Sequence, residues 1–354
     1  MIIRKKYLTS ILCFFLIAAA TVLFLFPGIS AKGAYNGIIN CLETLIPSLF
    51  PFMTLTLFLT ESGLYQRIFK IPASVLARLT GISSNYCSLF LLGMIGGYPS
   101  AAKNISTMCK KGEISEKTAE ILICFCTNAG PSFLISAVGQ KMFLSQSIGI
   151  ILYVSSLLSS FSLMFIYGKY ITYSHNASNK TTYSPLSVSL VKAVSGSCNA
   201  MTMICSFVIL FSVIISFIPD FSQNNLIYKA MFLGIFEVTS ASICASYDIS
   251  LLNILIVSAI CGWSGICIIF QISAICSQAK ISIKRFIGSR ILCALFNILY
   301  TYLLLLAIPI KTTQTFISNA ASASPAIFSA PLPAFMLLVC CVTFPICLKN
   351  RKKF

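Results

Sequence analysis

The sequence predicts an all-α polytopic membrane protein with about eight spanning helices plus two re-entrant segments, arranged as inverted-topology repeats. Three observations lead there. Hydrophobic residues make up 57% of the 354 and charged residues 9%, against about 25% charged in soluble globular chains. So few charges cannot cover a water-facing surface, which excludes disorder, a collagen-like rod and a cytosolic enzyme. Apolar runs close to the ~20 residues needed to cross a ~30 Å hydrocarbon core recur along the chain. Two further segments of similar length are too rich in Gly, Pro, Ser and charge to be plain spans. The 25 Lys and Arg against 8 Asp and Glu give a net charge of +17. That excess suits cytoplasmic loops facing anionic lipid headgroups. No arginine-rich stripe or base-stacking box points to nucleic acid.

In chain order the first span falls at 7–27, after Arg4-Lys5-Lys6. Its apolar run exceeds the ~7–15 residues of a signal-peptide core, so an uncleaved anchor is expected. Further spans fall at 36–60, 118–138, 145–168, 194–218, 250–276, 286–309 and 327–348. The two interrupted segments are 83–109 and 226–247. If both dip into the bilayer and return, the basic residues gather on the side of the N-terminus. These are the groups around Arg4, Arg67 to Arg78, Lys110 to Lys117 and Lys169 to Lys192. Lys280, Lys284, Arg285, Arg290 and the tail Lys349 to Lys353 join them. Letting both segments cross scatters these residues, so the positive-inside rule favours dips and places both termini in the cytoplasm. The chain then divides into an anchor (1–33), a first repeat (34–168), a cytoplasmic linker (169–193), a second, inverted repeat (194–310) and an external loop with a C-terminal helix and basic tail (311–354). Each repeat reads span, dip, span, span, the plan by which secondary transporters build a site at the bilayer midplane.

The candidate site residues sit where helix is interrupted. Gly96-Gly97-Tyr98-Pro99-Ser100 forms the tip of the first dip; glycine permits positive φ, and proline suits the first turn of a returning helix. The N–H groups of that helix, with Lys103 about one turn on, offer an anion a positive end. Thr127-Asn128-Ala129-Gly130-Pro131-Ser132 breaks the span that follows. Pro131 removes a donor and frees the carbonyl four residues earlier, and backbone freed at membrane depth survives only where protein or water satisfies it. In the second repeat the matching features are Glu237 and Thr239 in the dip, then Ser264 in a broken span and Gln271 beyond it. Glu237 is the carboxylate expected deep in an apolar segment, suited to a coupling Na⁺ or H⁺ or to pairing with Lys103. Glu43, near Pro47 and Pro51, is an outer-interface candidate. Ser115 and Glu116 read as the cap and first turn of a helix after the solvated turn at Lys110. The single histidine, His175, reads as a solvated loop residue. The 16 cysteines lie mostly in apolar runs, Cys124, Cys126, Cys205, Cys267, Cys293, Cys340 and Cys341 among them. No C-x-x-C pair occurs, so they read as buried thiols with no metal or cofactor.

The stretches Pro47-Ser-Leu-Phe-Pro-Phe52, Gly93-Met-Ile-Gly-Gly-Tyr-Pro-Ser-Ala-Ala-Lys103, Lys111-Gly-Glu-Ile-Ser115, Thr127 to Phe133, Gly234-Ile-Phe-Glu-Val-Thr239 and Gln271 resemble the YlbJ-type sporulation integral membrane proteins. These belong to the nucleoside-recognition Gate domain group, distantly similar to concentrative nucleoside transporters. The resemblance runs from about 35 to about 300. It implies a spore-forming bacterium and a role in moving dipicolinate across the outer forespore membrane. The chain departs from the pattern at Ser240-Ala241, where a glycine is expected after the threonine, and at Gly262-Trp-Ser-Gly265, where Gly-Gly is expected before the glutamine. The expected function is therefore transport of a small anionic solute such as dipicolinate. The alternatives are Na⁺- or H⁺-coupled movement of a neutral nucleoside-like solute, and a non-transporting structural sporulation protein; a homo-oligomer is compatible with each. No catalytic constellation is present, so no enzyme is expected.

Overall fold

The protein is described here from a computed structural model, in which residue 17 and residues 20–171, 185–218 and 226–308 are described. Most of the expected span 7–27, the span 327–348, His175 and the basic groups at Arg4 and Lys349 lie outside the described residues. The described part is helical, and all of it belongs to the unit that ends at residue 310.

Helix α1 (Pro27–Asn40) opens on a proline whose missing N–H would be unsatisfied in a first turn anyway. One wide π turn, Cys41–Leu45, joins it to α2 (Ile46–Ser62), and the 36 residues together form the expected span at 36–60. Pro47 cannot donate to the Glu43 carbonyl; Lys141 Nζ lies 3.4 Å from that oxygen and 3.5 Å from the Glu43 carboxylate. Gly63, at φ 71°, ends the span in the left-handed conformation. The short α3 (Leu64–Ile68) and α4 (Lys70–Thr80) follow, and α4 meets α5 (Ser84–Lys110) at 113°.

Helix α5 is two helical arms folded on each other at Gly97, whose φ 76° and ψ −175° are non-helical. A Cβ on Gly93 would lie 3.2 Å from the Cβ of Ala101, although eight residues of straight helix span about 12 Å. The expected first dip is thus a hairpin. After a turn capped by Ser115 Oγ, which accepts from Thr118 N at 3.1 Å, comes α6 (Glu116–Cys126). The span expected at 118–138 is then broken at Thr127–Gly130 and resumes as a π helix, α7 (Ser132–Met142). Helix α8 (Gln146–Gly168) returns against it so closely that a Cβ on Gly139 would sit 2.6 Å from the Cα of Gly149.

The same order recurs. Helix α9 (Leu186–Ser216) is a span, and α10 (Leu226–Phe236) and α11 (Val238–Ala245) form a second hairpin. Cys244 Sγ donates to the Leu226 carbonyl at 3.6 Å, where eighteen residues of straight helix would separate them by about 27 Å. Next comes a span broken at Ser264, with α12 (Leu251–Trp263) and α13 (Gly265–Ser277), and then α14 (Lys284–Ala307). Among the described residues five helices, or closely joined helix pairs, are long and apolar enough to cross a membrane, six if the bent α4–α5 pair is counted as one.

Small residues set the closest contacts. Gly33 and Gly37 of α1 lie on α9 at Ser216 and Ile209, and Gly262 of α12 lies on the backbone of Ala294 in α14. Close backbone approach of this kind replaces the hydrophobic drive that lipid cannot supply between helices. A polar seam runs through α8, α12 and α14: Thr301 Oγ1 lies 2.8 Å from Ser155 Oγ and 2.7 Å from Ser258 Oγ, and Asn297 Nδ2 donates to the Ser258 carbonyl at 3.1 Å.

Candidate functional site

Each hairpin tip is packed, backbone on backbone, against the break in the span that follows it. Gly97 faces Gly130: a Cβ on either would stand 3.1–3.2 Å from backbone atoms of the other. Glycine at both positions is what permits that approach. In the second half the break at Ser264 (φ 77°) and Gly265 (φ 70°) faces the tip at Phe236–Glu237, with a Gly265 Cβ 3.0 Å from the Phe236 carbonyl. Trp263 Nε1 adds a bond of 3.3 Å to the Ile235 carbonyl.

The hairpins enter from opposite ends. The outgoing arm of the first runs alongside α13, with Ser106 Oγ donating to the Ile275 carbonyl at 3.1 Å and Lys110 Nζ to Gln278 Oε1 at 2.9 Å. Its open end therefore lies at the far end of α13, whereas the second hairpin meets α13 at its beginning. Basic residues collect at the first hairpin's open end, where Lys111 pairs with Glu61 at 3.2 Å. A cleft of about 500 Å³ at that end is lined by Lys110, Glu113 and Lys280. Another of about 470 Å³, lined by Tyr35, Glu43 and Ser240, lies beside the second hairpin.

The structure brings most of the sequence candidates to these tips and breaks. Gly96, Gly97, Tyr98, Pro99 and Ser100 are buried. The Tyr98 hydroxyl crosses to the second half of the chain, donating to the Cys261 carbonyl beside Ser264. Pro99 occupies the second position of the returning arm, and Ser100 Oγ has no partner among the described residues. Thr127 Oγ1 donates to the Ile123 carbonyl. Asn128 ties the break to α8 through Ser156 O at 2.9 Å and Ser160 Oγ at 2.6 Å, and its Oδ1 accepts from Cys293 Sγ at 3.7 Å. Pro131 caps α7, with Ser132 buried behind it. Gln271 is buried with its amide 3.2 Å from Cys267 Sγ.

Two expectations are corrected. Glu237 is buried at the second tip, but it does not pair with Lys103. Its carboxylate caps α11, accepting from Thr239 N at 2.7 Å and Ser240 N at 2.6 Å. A carboxylate there satisfies free N–H groups and meets the positive end of the helix dipole. Lys103 instead lies within electrostatic reach of Glu61 and Lys110, towards the open end of its hairpin.

Arg290 is the larger correction. Reckoned with Lys284 and Arg285 as a surface charge, it is fully buried six residues into α14. Its Nη1 donates to the Thr127 carbonyl at 2.7 Å and its Nη2 to the Cys124 carbonyl at 2.6 Å. The first of these is the carbonyl freed by Pro131; the second is an orphan at the end of α6. Its guanidinium lies 4.7 Å from the Phe286 ring centre. A signal was present in the sequence. Phe286, Ser289, Arg290, Cys293, Asn297 and Thr301, all buried, recur at helical spacing on one face.

Across 331 residues the chain is 26% identical to a protein named "Sporulation integral membrane protein YlbJ" from Bacillus subtilis (strain 168), a match covering 82% of this chain and 81% of that one. No family model matches, and no solved structure matches. The similarity makes this chain a distant homologue of that integral membrane protein.

Proposed function

We propose that this distant YlbJ homologue is a sporulation membrane transporter that moves a small anionic solute, such as dipicolinate, across the outer forespore membrane. The observation that carries the reading is the pairing of two hairpin tips with two helix breaks. A static scaffold has no need of interrupted helices at membrane depth, where each unsatisfied backbone group costs several kcal/mol. A transporter does, because breaks expose N–H and C=O groups that a passing solute can use. The two halves act as inverted repeats around a site at the tips. The basic open end of the first hairpin faces the cytoplasm, as do both termini. The returning arm from Tyr98 presents its N-terminal end to the substrate, and Glu237 at the opposite tip serves a coupling cation. Alternating access then consists of one tip leaving its break while the other stays closed.

A neutral nucleoside-like solute is the second reading, favoured by Asn104, a buried amide with neither Oδ1 nor Nδ2 partnered among the described residues. Proteoliposomes containing the purified full chain decide between them. Labelled dipicolinate is expected to accumulate and a labelled nucleoside is not. The reverse result selects the neutral solute, and accumulation of neither leaves a structural role.

A further inference from the structure

We infer that Arg290 supplies the fixed positive charge that makes the pathway select anions; this rests on the transport reading above. The guanidinium is 0% exposed, and among the described residues no carboxylate lies within ion-pair distance of it. The ion pairs there, Lys111–Glu61 and Lys141–Glu43, are elsewhere. Burying an ion without a counter-charge is strongly unfavourable. Two carbonyl bonds to a charged donor are stronger than neutral ones, and the negative end of α6 opposes the charge. Carbonyls and a helix end offset the burial without cancelling the charge.

Its position decides what that residual charge acts on. Arg290 holds the break at Thr127, against which the first hairpin tip is packed. The Tyr98 side chain of that tip lies within electrostatic reach of Arg290 and beside Ser264 of the other break. Nε has no partner among the described residues, leaving one donor of the guanidinium unused. A cation fixed at the first break, within electrostatic reach of the tip that spans to the second, favours an anion passing there and repels a cation. Lys103, the sequence's candidate for this charge, faces Glu61 and Lys110 instead. The ligand class is a small carboxylate, for which a guanidinium gives a charge-assisted bond.

The test uses the full chain in lipid nanodiscs and two ligands of one shape, dipicolinate and its uncharged diamide. Wild type is expected to bind the dianion in preference. Arg290→Gln should weaken dianion binding by about tenfold or more while diamide binding changes by less than about twofold. Unchanged dianion affinity, or equal loss of both ligands, would make Arg290 a clamp for the break and overturn the inference. If Arg290→Gln does not fold, Arg290→Lys decides. A buried lysine gives up its proton more readily than an exposed one. Dianion affinity in that variant should therefore fall as pH rises from roughly 6.5 to 9, where wild type stays flat. A flat profile in the lysine variant overturns the inference. Wild type that binds neither ligand sinks the anion reading itself, a result distinct from either failure of the variants.

Discussion

Pro131 and Arg290 act on the same carbonyl oxygen: the proline leaves Thr127 O without a helical donor, and the arginine supplies one from another helix. Half of that arrangement is legible in the sequence, because a proline within an apolar run always leaves a carbonyl to be satisfied. The donor is not legible from local context, since Arg290 follows Lys284 and Arg285 and falls in with them as part of a basic loop. Only the helical spacing of its neighbours distinguishes it. Glu113, in the turn after the first hairpin, supports a prediction at this scale. Burial holds its carboxyl above the ordinary value of 4.5, with Lys111 opposing. A carboxyl whose folded pKa is raised destabilises the ionised folded state, so stability falls as pH rises through the window above 4.5. Glu113→Gln should therefore melt higher than wild type in detergent at pH 7.5, and the gap should close on acidification below the ordinary carboxylate value. A constant gap across pH would remove the carboxyl from the explanation.

Helices α1 and α9 meet through residues too small to keep their backbones apart. A Cβ on Gly37 would stand 2.8 Å from the Cα of Ile209, whereas nothing lies within 4 Å of one on Gly28. Gly37→Val should cost about 1–3 kcal/mol by overpacking, read as a lower melting temperature, and Gly28→Ala should leave it unchanged. Matching losses at the two positions would point to a general intolerance of α1 rather than to the contact. At the element scale the sequence is informative about where helices stop and less so about their type. The dips and breaks announce themselves through Gly97, Pro99, Pro131 and Ser264 with its flanking glycines. The π geometry of Cys41–Leu45 and of α7 left no comparable mark. In α7 it accompanies the close fit of Gly139 against Gly149, a contact between elements that local composition does not encode.

At the scale of the described helices, two exposed lysines mark opposite ends of the bundle. Lys111 lies at the open end of the first hairpin and Lys141 at the end of α7 beside Glu43, both with substantial exposure. Cysteines placed singly at these positions in a Cys-less background should be labelled from opposite sides of the membrane, Lys111→Cys from the cytoplasm. Labelling of both from one side would dissolve the arrangement of opposed hairpins. The hairpins also bear on how the protein is made. Helix α10 has 11 residues and α11 has 8, about 16 and 12 Å of rise against a hydrocarbon thickness of ~30 Å. Neither arm is a segment that the insertion machinery would release into lipid by itself. The tip that each hairpin buries is polar or glycine-rich, and its closest backbone contact is with a break synthesised afterwards, Gly130 for Gly97 and Gly265 for Phe236 and Glu237. For the second hairpin the order of synthesis therefore has a consequence: its seat at Gly265 is made after it, so its insertion is expected to follow synthesis of the broken span α12–α13.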